Sequence, residues 1–192
     1  MAFLLIGTML HAQEYDTFPA DSADLKSKKI ALGIVPSYSA SQLKGSLLSF
    51  AGLGVDVQFD EHLSTRVFVA FNIDNYSLEL LFPSEHSYNQ STAGMDVSWT
   101  FFKKSLSPIA GAMISYSKIY WNPMDAEGEQ FHDYLWLASP YIGGNWDISK
   151  IIRFQVRGGY NFSGKMDLIG FEHGDFNSFF LETILIVKIA EL

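Results

Sequence analysis

Cysteine is absent, which excludes disulfides, thiolate metal sites and a cysteine nucleophile. No apolar run reaches the ~18–20 residues of a membrane-spanning helix; the longest is Ala2–Leu10. Basic residues are few: 13 Lys and Arg against 21 Asp and Glu give a net charge of -8. They gather only at Lys26–Lys29 and Lys103–Lys104. That balance argues against a nucleic-acid partner. Proline is sparse. Gly-x-Ser-x-Gly, a phosphate-cradling loop, His-Glu-x-x-His and an EF-hand loop are all missing. The histidines, His11, His62, His86, His132 and His173, are not at ligand spacing within any one loop. Asp125, Glu127 and Glu129 around Gly128 read as a solvated acidic loop. No metal site and no cofactor are expected.

What the chain has is alternation. Aromatic residues make up 15% of it and fall near the ends of apolar-alternating runs. In Gly143–Phe162 one register is Trp146, Ile152, Phe154, Val156, Tyr160 and Phe162. The other is Asn145, Asp147, Arg153, Gln155, Arg157, Gly159 and Asn161, and the limbs meet at a polar turn around Ser149 and Lys150. Period two marks a β-hairpin with one apolar face. Large apolar residues against Arg, Gln and Asn suit a membrane barrel, whose apolar register faces lipid and whose polar register faces the lumen.

The same pattern recurs along the chain. Strands are predicted at about Lys28–Ser41, Phe50–Phe59, Ser64–Ile73, Ser91–Phe101, Ile109–Trp121, Tyr134–Trp146, Ile151–Phe162 and Ser178–Ala190. Pro36 predicts a bulge in the first. Phe68 and Met113 break the alternation of the third and fifth, and Tyr76–Phe82 leaves room for an additional short strand. Connections after the second, fourth and sixth strands are short, those after the third, fifth and seventh are long, and the first, around Gln42–Leu48, is intermediate. Short turns on one side, long loops on the other and an even strand number give the topology of a closed antiparallel up-and-down transmembrane β-barrel of eight strands. Residues 28–192 form this all-β barrel. Residues 14–27 read as an exposed N-terminal linker, and residues 1–13 resemble a secretory signal peptide.

An eight-stranded barrel is narrow enough for side chains to fill it. The inward register supplies Asp56, Asp96, Asp147 and Glu182 against Arg66, Arg153, Arg157 and Lys188. Asp56 and Arg66 are equidistant from one turn, and Asp147 and Arg153 bracket another, so each pair is expected to lie opposite across two strands. A neutralised polar network that plugs the lumen follows. Aromatics are expected to form girdles: Tyr38, Tyr116, Tyr120, Trp121, Tyr134, Trp136, Tyr160 and Phe162 toward the long loops, and Phe59, Phe101, Phe102, Trp146 and Phe154 toward the short turns.

On these features the chain resembles the small bacterial outer-membrane β-barrels, similar to the OmpA transmembrane domain and OmpX, over about Lys28–Leu192. The start ending His11-Ala12-Gln13 and the segment Arg157–Phe162 (RGGYNF) also resemble outer-membrane barrels of Bacteroidota. The resemblance implies a Gram-negative outer membrane, contact with its lipid and lipopolysaccharide, possible external partners for the loops, and a non-enzymatic structural or interaction role. Two alternatives stand beside it. Some such barrels modify lipid A: a deacylase of that kind uses a lipid-facing His-x-Ser with a Glu that orients the His. Here His173, Ser178 and Glu182 are the nearest candidates, although Asp175 occupies the Ser position of the motif, and Glu182 falls in the inward register. A palmitoyl-transfer barrel would need His, Asp and Ser near the outer rim; Ser84 and His86 lie in a suitable loop, but two common polar residues there carry almost no information. The other alternative is a soluble lipocalin-like barrel, which requires the opposite register, with Val97, Trp99 and Phe154 inward.

Overall fold

Each of eight strands pairs antiparallel with its neighbours in sequence, and the last pairs with the first. The strands are β1 Ala31–Leu43, β2 Ser46–Gln58, β3 Leu63–Asn72, β4 Ser87–Thr100, β5 Leu106–Asn122, β6 Phe131–Asp147, β7 Ile152–Ser163 and β8 Ser178–Glu191. The β1–β8 ladder closes the barrel, so no strand edge is left for lipid to solvate. The computed structural model describes residues 30–43, 46–60, 62–73, 87–102, 104–122, 131–165, 171–172 and 174–191. The signal-like segment 1–13, the linker 14–27, the Tyr76–Phe82 stretch, the acidic cluster Asp125–Glu129, Ser84, His86 and His173 lie outside the described residues.

The short turns are built by local capping. Asp60 accepts from the amides of His62 and Leu63, both at 2.7 Å. Ser149 accepts from the Ile152 amide at 3.1 Å, and Ser107 donates to the Phe102 carbonyl at 2.6 Å. Side-chain oxygens of this kind stand in for backbone partners where the chain reverses. Two local features differ from the sequence reading. β1 and β2 run almost into one another, with Leu43 opposite Ser46, where a longer connection was expected. The irregularity in β1 falls between Leu32 and Gly33 rather than at Pro36. Gly33 permits close approach there, since a Cβ would stand 2.9 Å from Ile186 Cγ2, whereas the Pro36 ring points outward.

The outer surface is apolar. Val67, Met95, Ile114 and Ile142, on successive strands, are all half exposed or more. Tyr116 stacks on Tyr134 at 5.3 Å between ring centroids and meets Trp136 at 4.7 Å on the long-loop side. Trp99 stacks on His62 at 5.2 Å on the short-turn side. About ten tilted residues cross the apolar layer of a bilayer; β5 and β6, with 17 residues each, extend beyond it.

The interior is layered. On the long-loop side Leu43, Leu48, Phe50, Phe68, Ile119 and Leu135 form an apolar core. Phe176, from the segment that leads into β8, is buried in it, and Phe171 packs against it. The polar lumen expected from the sequence therefore occupies the middle and the short-turn end, while the long-loop half holds this apolar core with buried polar groups such as Gln90 and Ser117 beside it. Phe68 and Met113, which interrupt the alternation, are explained by this layer: both point inward and pack in or against it.

Candidate functional site

The middle of the lumen is occupied by a ring of four charges from four strands. The ladders set Arg66 on β3 opposite Asp96 on β4, and Arg157 on β7 opposite Glu182 on β8. Arg66 Nε donates to Asp96 Oδ2 at 2.7 Å, and Arg157 Nε donates to Glu182 Oε2 at 2.8 Å. The remaining arms cross the lumen. Arg66 Nη1 reaches Glu182 Oε1 at 2.9 Å, and Arg157 Nη2 reaches Asp96 Oδ2 at 3.0 Å. The arrangement is a closed, neutral strut in which each guanidinium engages two carboxylates and each carboxylate two guanidiniums. Its members are nearly inaccessible, with Arg157 only 1% exposed.

Aromatic rings hold the strut in place. Tyr141 donates to Asp96 Oδ1 at 3.1 Å, and the Arg157 guanidinium lies 4.2 Å from the centroid of the same ring. The Arg66 guanidinium lies 4.6 Å above the Phe68 ring. What lysine would not reproduce is the fork of donors by which each guanidinium reaches two carboxylates while lying over an aromatic face. Nothing in the spacing of charges along the sequence singles out Tyr141. Its only signal is parity, since it falls in the register of Ser139 and Asn145.

The other luminal charges lie toward the short turns. Arg153 Nε donates to Asp147 Oδ1 at 2.6 Å, across the pair that the turn symmetry predicts. Asp56 does lie opposite Arg66 in the β2–β3 ladder, but Arg66 turns away to Asp96 and Glu182. Among the described residues Asp56 makes no ion pair within 4.0 Å. Lys188 lines the short-turn mouth. A pocket of about 70 Å³ separates the strut from the apolar core, bordered by Ser39, Thr92, Met113, Ser115 and Glu182. The Ser115 hydroxyl is buried there without a protein partner, and the space is sufficient for water. Among the described residues the strut fills the middle of the lumen and the apolar layer lies beyond it toward the long loops.

Of the residues considered for catalysis, Glu182 is committed to two arginines inside the barrel, away from the lipid face that a deacylase would use. Ser178 is buried with the same inward parity, and His173 lies outside the described residues. His62 is held by Trp99 and by a 2.6 Å contact from Nδ1 to the Thr100 carbonyl. His132 packs outward against Tyr120 and Tyr134. Among the described residues no group of three or more His, Asp and Glu is placed to hold a metal ion.

No protein-family model and no curated protein matches the chain. Solved structures do. Neisserial surface protein A superposes with a TM-score of 0.63 at 11% identity, over 83% of this chain and 97% of that one. The N-terminal β-barrel domain of Pseudomonas aeruginosa OprF gives 0.57 at 8% identity, over 84% and 98%. Ail, the attachment invasion locus protein of Yersinia pestis, gives 0.52 at 10% identity, over 84% and 97%. The chain has the fold of the small outer-membrane β-barrels. Like them it is a closed eight-stranded barrel, matched over nearly their whole length. A lipocalin-like barrel needs the reverse register, and here Val97 and Trp99 point outward with 44% and 47% of their surface exposed.

Proposed function

We propose that the chain is an integral protein of a Gram-negative outer membrane, of the kind found in Bacteroidota, with a structural or interaction role and no enzymatic one. The carrying observation is the inverted register: apolar side chains cover the outside, and a satisfied charge strut fills the middle. In water the exposed belt would be a large aggregation liability; in a bilayer it is the solvated face. The strut in the lumen argues against a pore, and the commitment of Glu182 to Arg66 and Arg157 argues against lipid chemistry there. The signal-like segment 1–13 fits export.

The surface available for interaction is on the long-loop side. Lys118 faces outward there, its ammonium 4.6 Å from the Tyr120 ring centroid and 5.7 Å from that of Tyr134. A cation within an aromatic girdle suits contact with the anionic groups of lipopolysaccharide, and the loops beyond it suit an external partner. The test is extraction from membranes followed by electrophoresis with and without boiling. A membrane-bound species whose migration changes on boiling is expected. Recovery in the soluble fraction with migration unaffected by heat would overturn the assignment.

A further inference from the structure

The short-turn mouth of the barrel opens into a vestibule of about 550 Å³, within the size range of small-molecule sites. Its wall carries four cationic side chains, Lys104, Lys150, Arg153 and Lys188, and one carboxylate, Asp147. This runs against the chain as a whole, whose net charge is -8. The single carboxylate is held by Arg153 at 2.6 Å. Among the described residues the three lysines make no ion pair. They come from three separate elements: the β4–β5 turn, the β6–β7 turn and β8. Neutral donors add to the set. Gln58 and Thr100 line the same space. Thr100 Oγ1 accepts from Asn145 Nδ2 at 3.0 Å, which leaves its hydroxyl proton free to donate.

Three ammonium groups around a concave space with low-dielectric walls concentrate positive potential there. Lysines act on phosphate as mobile point charges and need no fixed fork geometry. We propose that this vestibule binds a phosphate-bearing anion, with Lys188 as its inner anchor and Lys104 and Lys150 closing over it from the turns. The binding rests on the vestibule alone. Only its placement on the inner side of the outer membrane rests on the orientation proposed above.

The test uses the full chain folded in neutral detergent, titrated with inorganic phosphate at low ionic strength and followed by 31P NMR or calorimetry. Saturable binding that weakens with added salt is expected. Lys150→Ser with Lys188→Met should reduce affinity about tenfold or more, with heat-modifiable migration retained as evidence of folding. Phosphatidylglycerol added to the micelles distinguishes the source: competition with phosphate assigns a lipid headgroup, and its absence assigns a soluble phosphate. A folded wild type without saturable binding, or a folded double variant that binds as wild type does, would overturn the proposal.

Discussion

Glu182 on β8 accepts a 2.9 Å hydrogen bond from Arg66 on β3, across the lumen and 116 residues away in sequence. Arg157, its neighbour in the ladder, holds the other carboxylate oxygen. Removing one member of a buried ion pair strands the others and costs about 3–5 kcal/mol. Arg66→Met should therefore lower the free energy of unfolding by about that amount, measured by urea titration in phosphocholine vesicles. Arg66→Met combined with Glu182→Met leaves Arg157 paired with Asp96, so the double variant should lose less than the sum of the two single variants. Strict additivity would mean the two groups are not coupled.

Gly143 and Gly144 are adjacent but face opposite ways. A Cβ on Gly143 would run into the Val156 carbonyl oxygen and stand 2.8 Å from Arg157 Cα, whereas one on Gly144 meets nothing nearer than 4.0 Å. Gly143→Ala should cost about 1–3 kcal/mol through overpacking, and Gly144→Ala should stay within about 0.5 kcal/mol of wild type. Equal effects in the same unfolding assay would show that the β6–β7 ladder has a different register.

Ile114 faces outward in the middle of β5, 56% exposed. Near the midplane of a bilayer, Ile114→Arg should cost about 2–4 kcal/mol. On the surface of a water-soluble barrel the same change would fall within about 0.5 kcal/mol. Unfolding from vesicles separates the two.

The parts of this fold that are legible in the sequence are those set by local rules. The Asp147–Arg153 pair could be read directly, because two residues symmetric about a tight turn must face each other and both point inward. The up-and-down topology follows from the alternation of short and long connections, although Tyr76–Phe82 leaves the choice between eight strands and more open in the sequence. The facing of Asp56 and Arg66 was legible in the same way, but the partner Arg66 uses was not. A guanidinium on a long stem reaches neighbouring strands and the far wall, and only closure brings β8 within its range. The apolar layer was obscured for a related reason. Where a strand rises toward the long loops its inward residues are also apolar, as at Ile119, Leu135 and Leu137, so period two fades. Phe68 looked like an exception until its contact with Arg66 placed it at the boundary between the layers. The vestibule is hidden altogether, since its lysines come from separate segments and gather only when the sheet closes.

The most direct test of the account is where the outward tryptophans lie. Trp99, Trp136 and Trp146 are 47%, 60% and 55% exposed on the outer face. Variants retaining one of the three, with every other tryptophan replaced by phenylalanine, can be folded into vesicles whose acyl chains carry bromine. The account predicts that fluorescence from each of the three is quenched by brominated lipid and little affected by aqueous iodide. Quenching of all three by iodide, with none by brominated lipid, would contradict a membrane-spanning barrel.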